Sequence, residues 1–210
     1  FSFALPLLAI GAAFDAQNLG IGLFNRLSLP FWVEFILVIL ILDFFIWLQH
    51  LLTHKIEFLW RIHRVHHSDT EMDVSTAIRF HPIEIALSMA LKIGLVYALG
   101  ADPLSVLIFE ILLNGSSIFN HANINIPNRV DKIVRFLIVT PDMHRIHHSS
   151  DRIEHDTNFG FALSIWDHMF QTYKYRPERD HKEMEIGLNW QDEKPQELGW
   201  SLGLPFKKNG

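Results

Sequence analysis

Residues 31–54 read FWVEFILVILILDFFIWLQHLLTH and form the strongest apolar run of the chain. As far as Leu48, the run carries only two charged side chains, Glu34 and Asp43. Pro30 precedes the run and suits the beginning of a helix. A helix needs about 20 apolar residues to cross the hydrocarbon core of a bilayer. The run therefore predicts a membrane helix over 31–54 and, with it, an integral membrane protein.

Residues 82–121 contain two further apolar segments, which are separated by the short turn GADP at 100–103. Apolar helices joined by so short a turn run antiparallel, so 82–121 is predicted to be a membrane hairpin. Lys92 precedes the turn by about as many residues as Glu110 follows it. Charges inside a membrane are costly and usually paired, so we expect a contact between Lys92 and Glu110. The alternative is that Lys92 extends to the membrane interface.

The two ends of the chain differ in character. Residues 1–14 read FSFALPLLAIGAAF, an apolar stretch that would rise only about 21 Å as a helix. We interpret it as part of a membrane helix, with an interfacial or buried helix as the alternative. Residues 122–210 are more polar and are predicted to form a cytosolic cap and tail. Together these segments are expected to form a single domain over 1–210.

The composition excludes several classes of function. A net charge of −5 provides no basic surface for a nucleic acid. The absence of cysteine excludes disulfides, thiolate zinc sites, iron–sulfur clusters and cysteine nucleophiles. Histidine is the residue type that stands out, with thirteen among 210 residues.

Most of these histidines fall into three boxes. The boxes are HLLTH at 50–54, HRVHH at 63–67 and HRIHH at 144–148, and His121 ends the predicted hairpin. Spacings of three and four residues place side chains on one face of a helix. The candidate ligands are His50, His54, His63, His66, His67, His121, His144, His147 and His148. They exceed the needs of one metal ion and suit two.

The distribution of basic residues predicts which side of the membrane the boxes face. Lysine and arginine in loops favour the cytoplasmic side. They follow the first predicted membrane helix and the hairpin, at Lys55, Arg61, Arg64, Arg79, Arg129, Lys132, Arg135 and Arg145. The turn inside the hairpin carries only Asp102. We therefore expect an all-α integral membrane helical bundle with a cytosolic helical cap that holds a histidine-rich dimetal site.

The choice of metal follows from the surroundings of the boxes. Imidazole is a good ligand for zinc, iron, copper and nickel. Lipid chains offer mainly C–H bonds, whose oxidation needs a redox-active metal and oxygen, and this favours iron. A zinc-dependent membrane hydrolase with a metal-bound hydroxide is the alternative enzyme class. A metal transporter is a further alternative, although transporters place polar ligands near the bilayer midplane and these histidines gather at helix ends and in loops.

The boxes and several further motifs resemble the fatty acid hydroxylase superfamily, the group of membrane sterol desaturases and sphingolipid hydroxylases. The further motifs are RFHPIE at 79–84, NH at 120–121, TPDMHRIHH at 140–148, DTNFG at 156–160, WD at 166–167 and TY at 172–173. The resemblance covers roughly residues 43–175. Leu51 follows the first histidine of the first box, where many relatives have arginine.

The resemblance implies an oxygen-dependent diiron oxidoreductase that hydroxylates or desaturates a membrane lipid of the sterol, sphingolipid or fatty acyl type. It implies two iron ions, for which zinc can substitute, and O2 as co-substrate. It also implies that electrons come from a separate electron-donor protein or reductase. It makes no prediction of the oligomeric state.

The resemblance also assigns roles to residues. The eight histidines of the boxes, together with His121 as the ninth, would be the metal ligands. His81 would be a tenth ligand, a residue that orients a ligand, or an N-terminal cap. Asp156 and Asn158 would orient ligand imidazoles, and Asp142 and Asp69 are similar candidates. Each copy of the HRxHH motif is expected to lend three imidazoles to the metal centre.

Overall fold

The computed structural model describes residues 6–181, 183–190 and 196–207. Residues 1–5 of the predicted N-terminal helix and parts of the predicted tail therefore lie outside the described residues. The α-helices are α1 (Pro6–Leu19), α2 (Phe31–Lys55), α3 (Glu57–His67), α4 (Pro82–Leu99), α5 (Pro103–His121), α6 (Asn128–Val134), α7 (Pro141–His147), α8 (Arg152–His155), α9 (Ile165–Met169) and α10 (Leu198–Gly203). Within the described residues, β pairing is limited to the isolated bridges Ile138–Leu163 and Ser149–Ile186. The predicted all-α class is confirmed.

Four segments of the described chain are long and apolar enough to cross a membrane. They are Pro6–Arg26, Phe31–Lys55, Pro82–Leu99 and Pro103–His121. The first of them consists of α1 followed by a 3-10 turn at Phe24–Arg26, so the N-terminal helix continues past Phe14, the last residue of the predicted segment, to Leu19. The expectation of an integral membrane protein agrees with these helices.

The chain divides into two compact units. The first holds the described residues of Phe1–Ile46 and Ile85–Asn114. In it the segment after α1 meets the end of α4, where Leu23 N donates to Ala98 O at 3.0 Å. Gly22 has a φ of 99°, and a Cβ at this position would lie 2.1 Å from the backbone nitrogen of Gly100. Glycine is therefore required at Gly22 by both the conformation and the close approach.

The predicted Lys92–Glu110 contact is confirmed in this unit. Lys92 Nζ on α4 lies 2.6 Å from Glu110 Oε1 on α5, and both side chains are buried. Asn114 Nδ2, one turn further along α5, donates to the carbonyl oxygen of Glu110 at 2.7 Å. The pair follows from the hairpin geometry, because residues equidistant from the turn lie at the same level.

The second unit holds the described residues of Trp47–Glu84 and Gly115–Gly210. One apolar cluster in it consists of Val65, Leu188, Trp200 and Leu204, with Trp60 and Trp190 packed against it. Other apolar side chains, such as Met143 and Phe159, are also buried. Polar residues are nevertheless numerous among its buried residues, and histidine is the most frequent of them. Those buried histidines need partners for their ring nitrogens.

Candidate metal centre

Four helices carry the nine candidate histidines, eight of them in the boxes and the ninth at His121. Helix α2 carries His50 and His54, α3 carries the second box, α5 ends at His121, and α7 carries the third box, with His148 just after its last residue. Thr140 begins α7, because its hydroxyl accepts a hydrogen bond from Met143 N and Pro141 occupies the first turn. All nine side chains are buried.

The first histidine group has five members. One ring nitrogen from each lies within 4.8 Å of the others, and the members are His50, His54, His63, His67 and His147. Their rings meet edge to face or tilted, as for His50 and His147 at 4.5 Å between centroids. Five buried imidazoles that converge in this way can surround one ion.

The second histidine group has four members, His66, His121, His144 and His148. The Nε2 atom of His121 lies 3.1 Å from that of His66, 3.1 Å from that of His144 and 3.2 Å from that of His148. A neutral imidazole nitrogen carries either one hydrogen or one lone pair, so His121 Nε2 cannot satisfy three neighbours by hydrogen bonding. Nitrogens that bind one ion at about 2.1 Å lie at comparable separations, so a cation fits among these four.

The nitrogens of the first group also fit a metal ion. Among the described residues, Nε2 of His50, His63 and His147 is buried and has no hydrogen-bond partner. Both ring nitrogens of His54 and of His67 are in the same situation. Leaving a buried polar atom unpaired costs about 1 to 3 kcal/mol, and here several such atoms meet in one place. Coordination of a cation would satisfy them together.

Hydrogen bonds at Nδ1 hold several of these rings in place. His50 Nδ1 lies 2.7 Å from Phe159 O, His147 Nδ1 lies 2.8 Å from Thr157 O, and His121 Nδ1 lies 2.7 Å from Ser117 O. An imidazole that donates through Nδ1 to a carbonyl keeps the lone pair of Nε2 for a metal. The tautomer required of a ligand is therefore favoured before any ion binds.

Five of the candidate ligands outside the membrane-spanning helices are neutral at physiological pH. Burial lowers the pKa of His66, His67, His144, His147 and His148 well below the usual value of 6.5, and the neighbouring histidines lower it further. Neutral imidazole is the form that binds metals. Burial and crowding thus prepare the site for a cation.

Comparison with known proteins agrees with this geometry. The sequence model of the fatty acid hydroxylase family matches residues 35–172, a range that includes all nine histidines. This protein belongs to the fatty acid hydroxylase family. No solved structure matches the chain.

The similar curated proteins are lipid-modifying enzymes by name. Ornithine lipid hydroxylase OlsE of Rhizobium tropici is 32% identical over 149 residues, covering 70% of this chain and 44% of the relative. Human alkylglycerol monooxygenase is 25% identical over 142 residues, covering 65% of this chain and 30% of the relative. Human cholesterol 25-hydroxylase is 28% identical over 148 residues, covering 68% of this chain and 51% of the relative. The chain thus spans about half or less of the length of these relatives.

In this fatty acid hydroxylase family member, the repeated motif divides between the two groups. The copy on α3 contributes His63 and His67 to the first group and His66 to the second. The copy on α7 does the reverse, with His147 in the first group and His144 and His148 in the second. Each copy therefore contributes to both groups. The first and last histidines of a copy, four residues apart, belong to one group, and the histidine between them belongs to the other.

The further residues that the sequence singled out have different surroundings. His81 lies outside both groups, and its Nδ1 accepts a hydrogen bond from Ile83 N at 3.2 Å, as a cap at the beginning of α4 does. Asp156 Oδ1 lies 3.6 Å from His54 Nδ1, and its Oδ2 accepts from Lys55 at 2.9 Å. The Asn158 amide donates to the carbonyl oxygens of Met143 and Lys174, each at 3.0 Å, so it fixes the backbone of α7.

The acids inside the motifs contact other partners. Asp69 accepts from the hydroxyl of Thr76 at 2.6 Å, and Asp142 pairs with Arg145 at 2.5 Å. Arg64 extends to the carbonyl oxygens of Leu204 and Lys207, each at 2.7 Å. The Arg64 contacts hold the C-terminal segment against α3, whereas the Asp69 contact lies within the loop after α3 and the Asp142 contact lies within α7.

Sequence reasoning missed several contacts of the centre. Glu84 Oε1 lies 2.6 Å from His63 Nδ1, although the sequence offered Glu84 only as part of a motif. His155 forms a third small group with His54 and Asp156 and stacks on Trp60, with 5.0 Å between ring centroids. The partners of His50 and His147 are the backbone carbonyl oxygens of Phe159 and Thr157, which the identity of a side chain cannot predict. The position of Glu84 at the end of the motif RFHPIE, two residues after Pro82, was the available hint.

Proposed function

We propose that this protein is an oxygen-dependent lipid hydroxylase or desaturase. The observation that carries the proposal is the convergence of nine buried imidazoles into a group of five and a group of four. In this proposal the ligands are His50, His54, His63, His67 and His147 for one ion and His66, His121, His144 and His148 for the other. His81, Asp156 and Asn158 support the centre without binding metal.

We further propose that the two ions are iron, with zinc able to occupy the same nitrogens. Bound iron would supply the redox chemistry with O2 that oxidises an unactivated C–H bond, whereas zinc has no redox chemistry. The protein supplies neutral nitrogen ligands, fixed in orientation by the carbonyl oxygens of Phe159, Thr157 and Ser117.

Aromatic rings are suited to limit water around the proposed ligands. Phe80 stacks on His66 with 4.2 Å between ring centroids and an interplanar angle of 9°. Phe159 and Phe161 flank His50 at 5.8 and 5.1 Å. Water excluded from the centre cannot compete for the ring nitrogens, and a reactive site is protected from side reactions.

The substrate in this proposal is a membrane lipid. The relatives act, by their names, on ornithine lipid, alkylglycerol and cholesterol. Four apolar helices support an integral membrane location, and the basic loops favour the cytoplasmic side for the histidines. Electrons would come from a separate donor protein or reductase.

The test compares His147→Ala with His168→Ala. His147 belongs to the first histidine group, whereas His168 is exposed and lies outside both groups. We expect His147→Ala to lose bound metal and lipid products, while His168→Ala retains both. Metal is measured by elemental analysis, and products by lipidomics in cells supplied with isotopically labelled O2. Full metal occupancy with unchanged products in His147→Ala would refute the proposal. Label in the product indicates hydroxylation and an unlabelled double bond indicates desaturation, whereas products that still form without O2 would favour a hydrolase.

A further inference from the structure

Helix α6 and the residues after it expose large apolar side chains. Ile133 is 75% exposed and Phe136 is 72% exposed, and Val130 and Leu137 beside them are also exposed. The opposite side of the helix is anchored, because Asp131 and Arg135 form a buried ion pair. Contiguous exposed apolar side chains of this size mark a contact with another molecule or with a membrane.

The exposed surface continues onto the end of α9. Phe136 lies against His168, with 5.8 Å between ring centroids, and the next two residues, Met169 and Phe170, are exposed apolar side chains. We call Val130, Ile133, Phe136, Leu137, Met169 and Phe170 the apolar patch.

Contacts with α2 show at which position along this helix the apolar patch lies. Phe170 stacks on Trp47 at 4.7 Å between centroids, and Trp47 precedes the last residue of α2, Lys55, by eight positions. Eight residues of helix rise about 12 Å. Lys55 itself pairs with Asp156 just after α8. The apolar patch therefore meets α2 well inside the apolar span, whereas α8 meets its charged end.

The basic side chains beside the apolar patch fit a bilayer that contains anionic lipids. Arg129 and Lys132 lie on α6 and are exposed, between and beside Val130 and Ile133. A short segment with apolar side chains on one side and basic residues at its edge is suited to the interface of a bilayer with anionic lipids.

We propose that the apolar patch is a surface that docks into the lipid bilayer. Its side chains lie in the headgroup and upper acyl region, and Arg129 and Lys132 contact anionic headgroups. This surface does not depend on the metal chemistry proposed above.

The apolar patch is joined to the metal centre by a short backbone pairing. Ser164 N donates to Leu137 O at 3.1 Å and Val139 N donates to Ala162 O at 3.0 Å. The preceding residue, Phe161, packs on His50 with 5.1 Å between centroids. If the proposed function holds, only the segment 161–164 separates a lipid beside the apolar patch from the ligand His50. This consequence rests on the proposed function, whereas the docking surface does not.

The experiment uses the absence of cysteine from the chain. Single variants Ile133→Cys and Phe136→Cys carry an environment-sensitive fluorophore in this 210-residue chain, reconstituted into phosphatidylcholine vesicles with phosphatidylglycerol as the anionic component. Ile153→Cys is the matched control, because Ile153 is also isoleucine, is 71% exposed and lies on α8, near the charged end of α2.

We expect blue-shifted emission and quenching by brominated acyl chains at Ile133→Cys and Phe136→Cys, with little quenching by aqueous iodide. Ile153→Cys should show the reverse. Combining Ile133→Cys with Arg129→Gln and Lys132→Gln should reduce the blue shift gained from phosphatidylglycerol.

Equal iodide quenching at all three positions would overturn the proposal. So would protection that appears only when unlabelled protein is added, because that result would place a second copy of the chain on the apolar patch. Neither readout needs bound metal, so failure of the proposed function would leave the result intact.

Discussion

The Nδ1 atom of His63 lies 2.6 Å from the carboxylate oxygen Oε1 of Glu84, and both side chains are buried. His50, His121 and His147 donate instead to backbone carbonyl oxygens. A carboxylate carries a full charge, so it makes the remaining nitrogen of its imidazole a stronger donor to a metal than a carbonyl does. His63 belongs to the first histidine group, and so the two groups are not electronically equivalent.

Replacing Glu84 by glutamine should weaken metal binding in the first group. The variant keeps the shape and the hydrogen bond but removes the charge, and loss of such a partner typically costs about 10- to 100-fold in metal affinity. Affinity is measured by competition with a chelator on purified protein. Glu57→Gln is the control, because Glu57 is an exposed acid on α3. Equal affinities for Glu84→Gln and wild type would show that the carboxylate does not support the ligand.

The division of the HRxHH motif predicts an unusual pattern of metal loss. His144 and His148 both belong to the second group, whereas His147 and His148 belong to different groups. The double variant His144→Ala/His148→Ala should therefore retain one ion per chain. The double variant His147→Ala/His148→Ala should weaken both sites, although its two residues are adjacent. Elemental analysis after the same chelator wash measures both, and equal stoichiometries would contradict the division.

The spacing of the motif explains how much of the centre the sequence predicts. Residues i and i+4, such as His63 and His67, face nearly the same direction, while His66 is turned away from them. Sequence reasoning gave the convergence of the nine histidines but did not predict which group each would join. That choice depends on how α3 and α7 are rotated about their axes, which is set by packing of residues such as Val65 and Met143. The membrane helices were easier to predict, because long apolar runs such as 31–54 have few other folds open to them.

Asp167 joins the membrane helix α2 to the loop that supports His50. Its carboxylate accepts hydrogen bonds from Trp47 Nε1 at 3.0 Å, Thr172 Oγ1 at 2.6 Å, and the backbone nitrogens of Phe159 and Gly160 at 2.9 and 2.8 Å. Asp167→Asn places an amide group against donors, and we expect a loss of about 2 to 4 kcal/mol in unfolding free energy. Thr172→Val, which removes one of the four donors, should cost less. Chemical denaturation in detergent measures both, and equal costs would contradict this role.

The same carboxyl group predicts a pH dependence. Burial raises the pKa of Asp167 above its usual value of 3.8, although its hydrogen bonds act in the opposite direction. A carboxyl whose pKa is higher in the folded state stabilises the fold below its unfolded pKa, and this contribution is lost as the pH rises through the folded pKa. The difference in unfolding free energy between wild type and Asp167→Asn should therefore shrink as the pH rises from the usual aspartate pKa. Paired denaturation curves across that range measure it, and a difference that grows with pH would show that the hydrogen bonds outweigh burial.

The ion pair between Lys92 and Glu110 should show strong coupling. The atoms Nζ and Oε1 lie 2.6 Å apart between two helices that are apolar enough to cross a membrane. Lys92→Met or Glu110→Gln alone leaves one buried charge without its partner, and loss of one partner of a buried pair typically costs about 3 to 5 kcal/mol. Removing both charges in Lys92→Met/Glu110→Gln should recover most of that loss, because the cost of desolvating two charges also disappears. A double-mutant cycle of unfolding free energies in detergent measures the coupling. Additive single effects would mean that each charge is satisfied independently of the other.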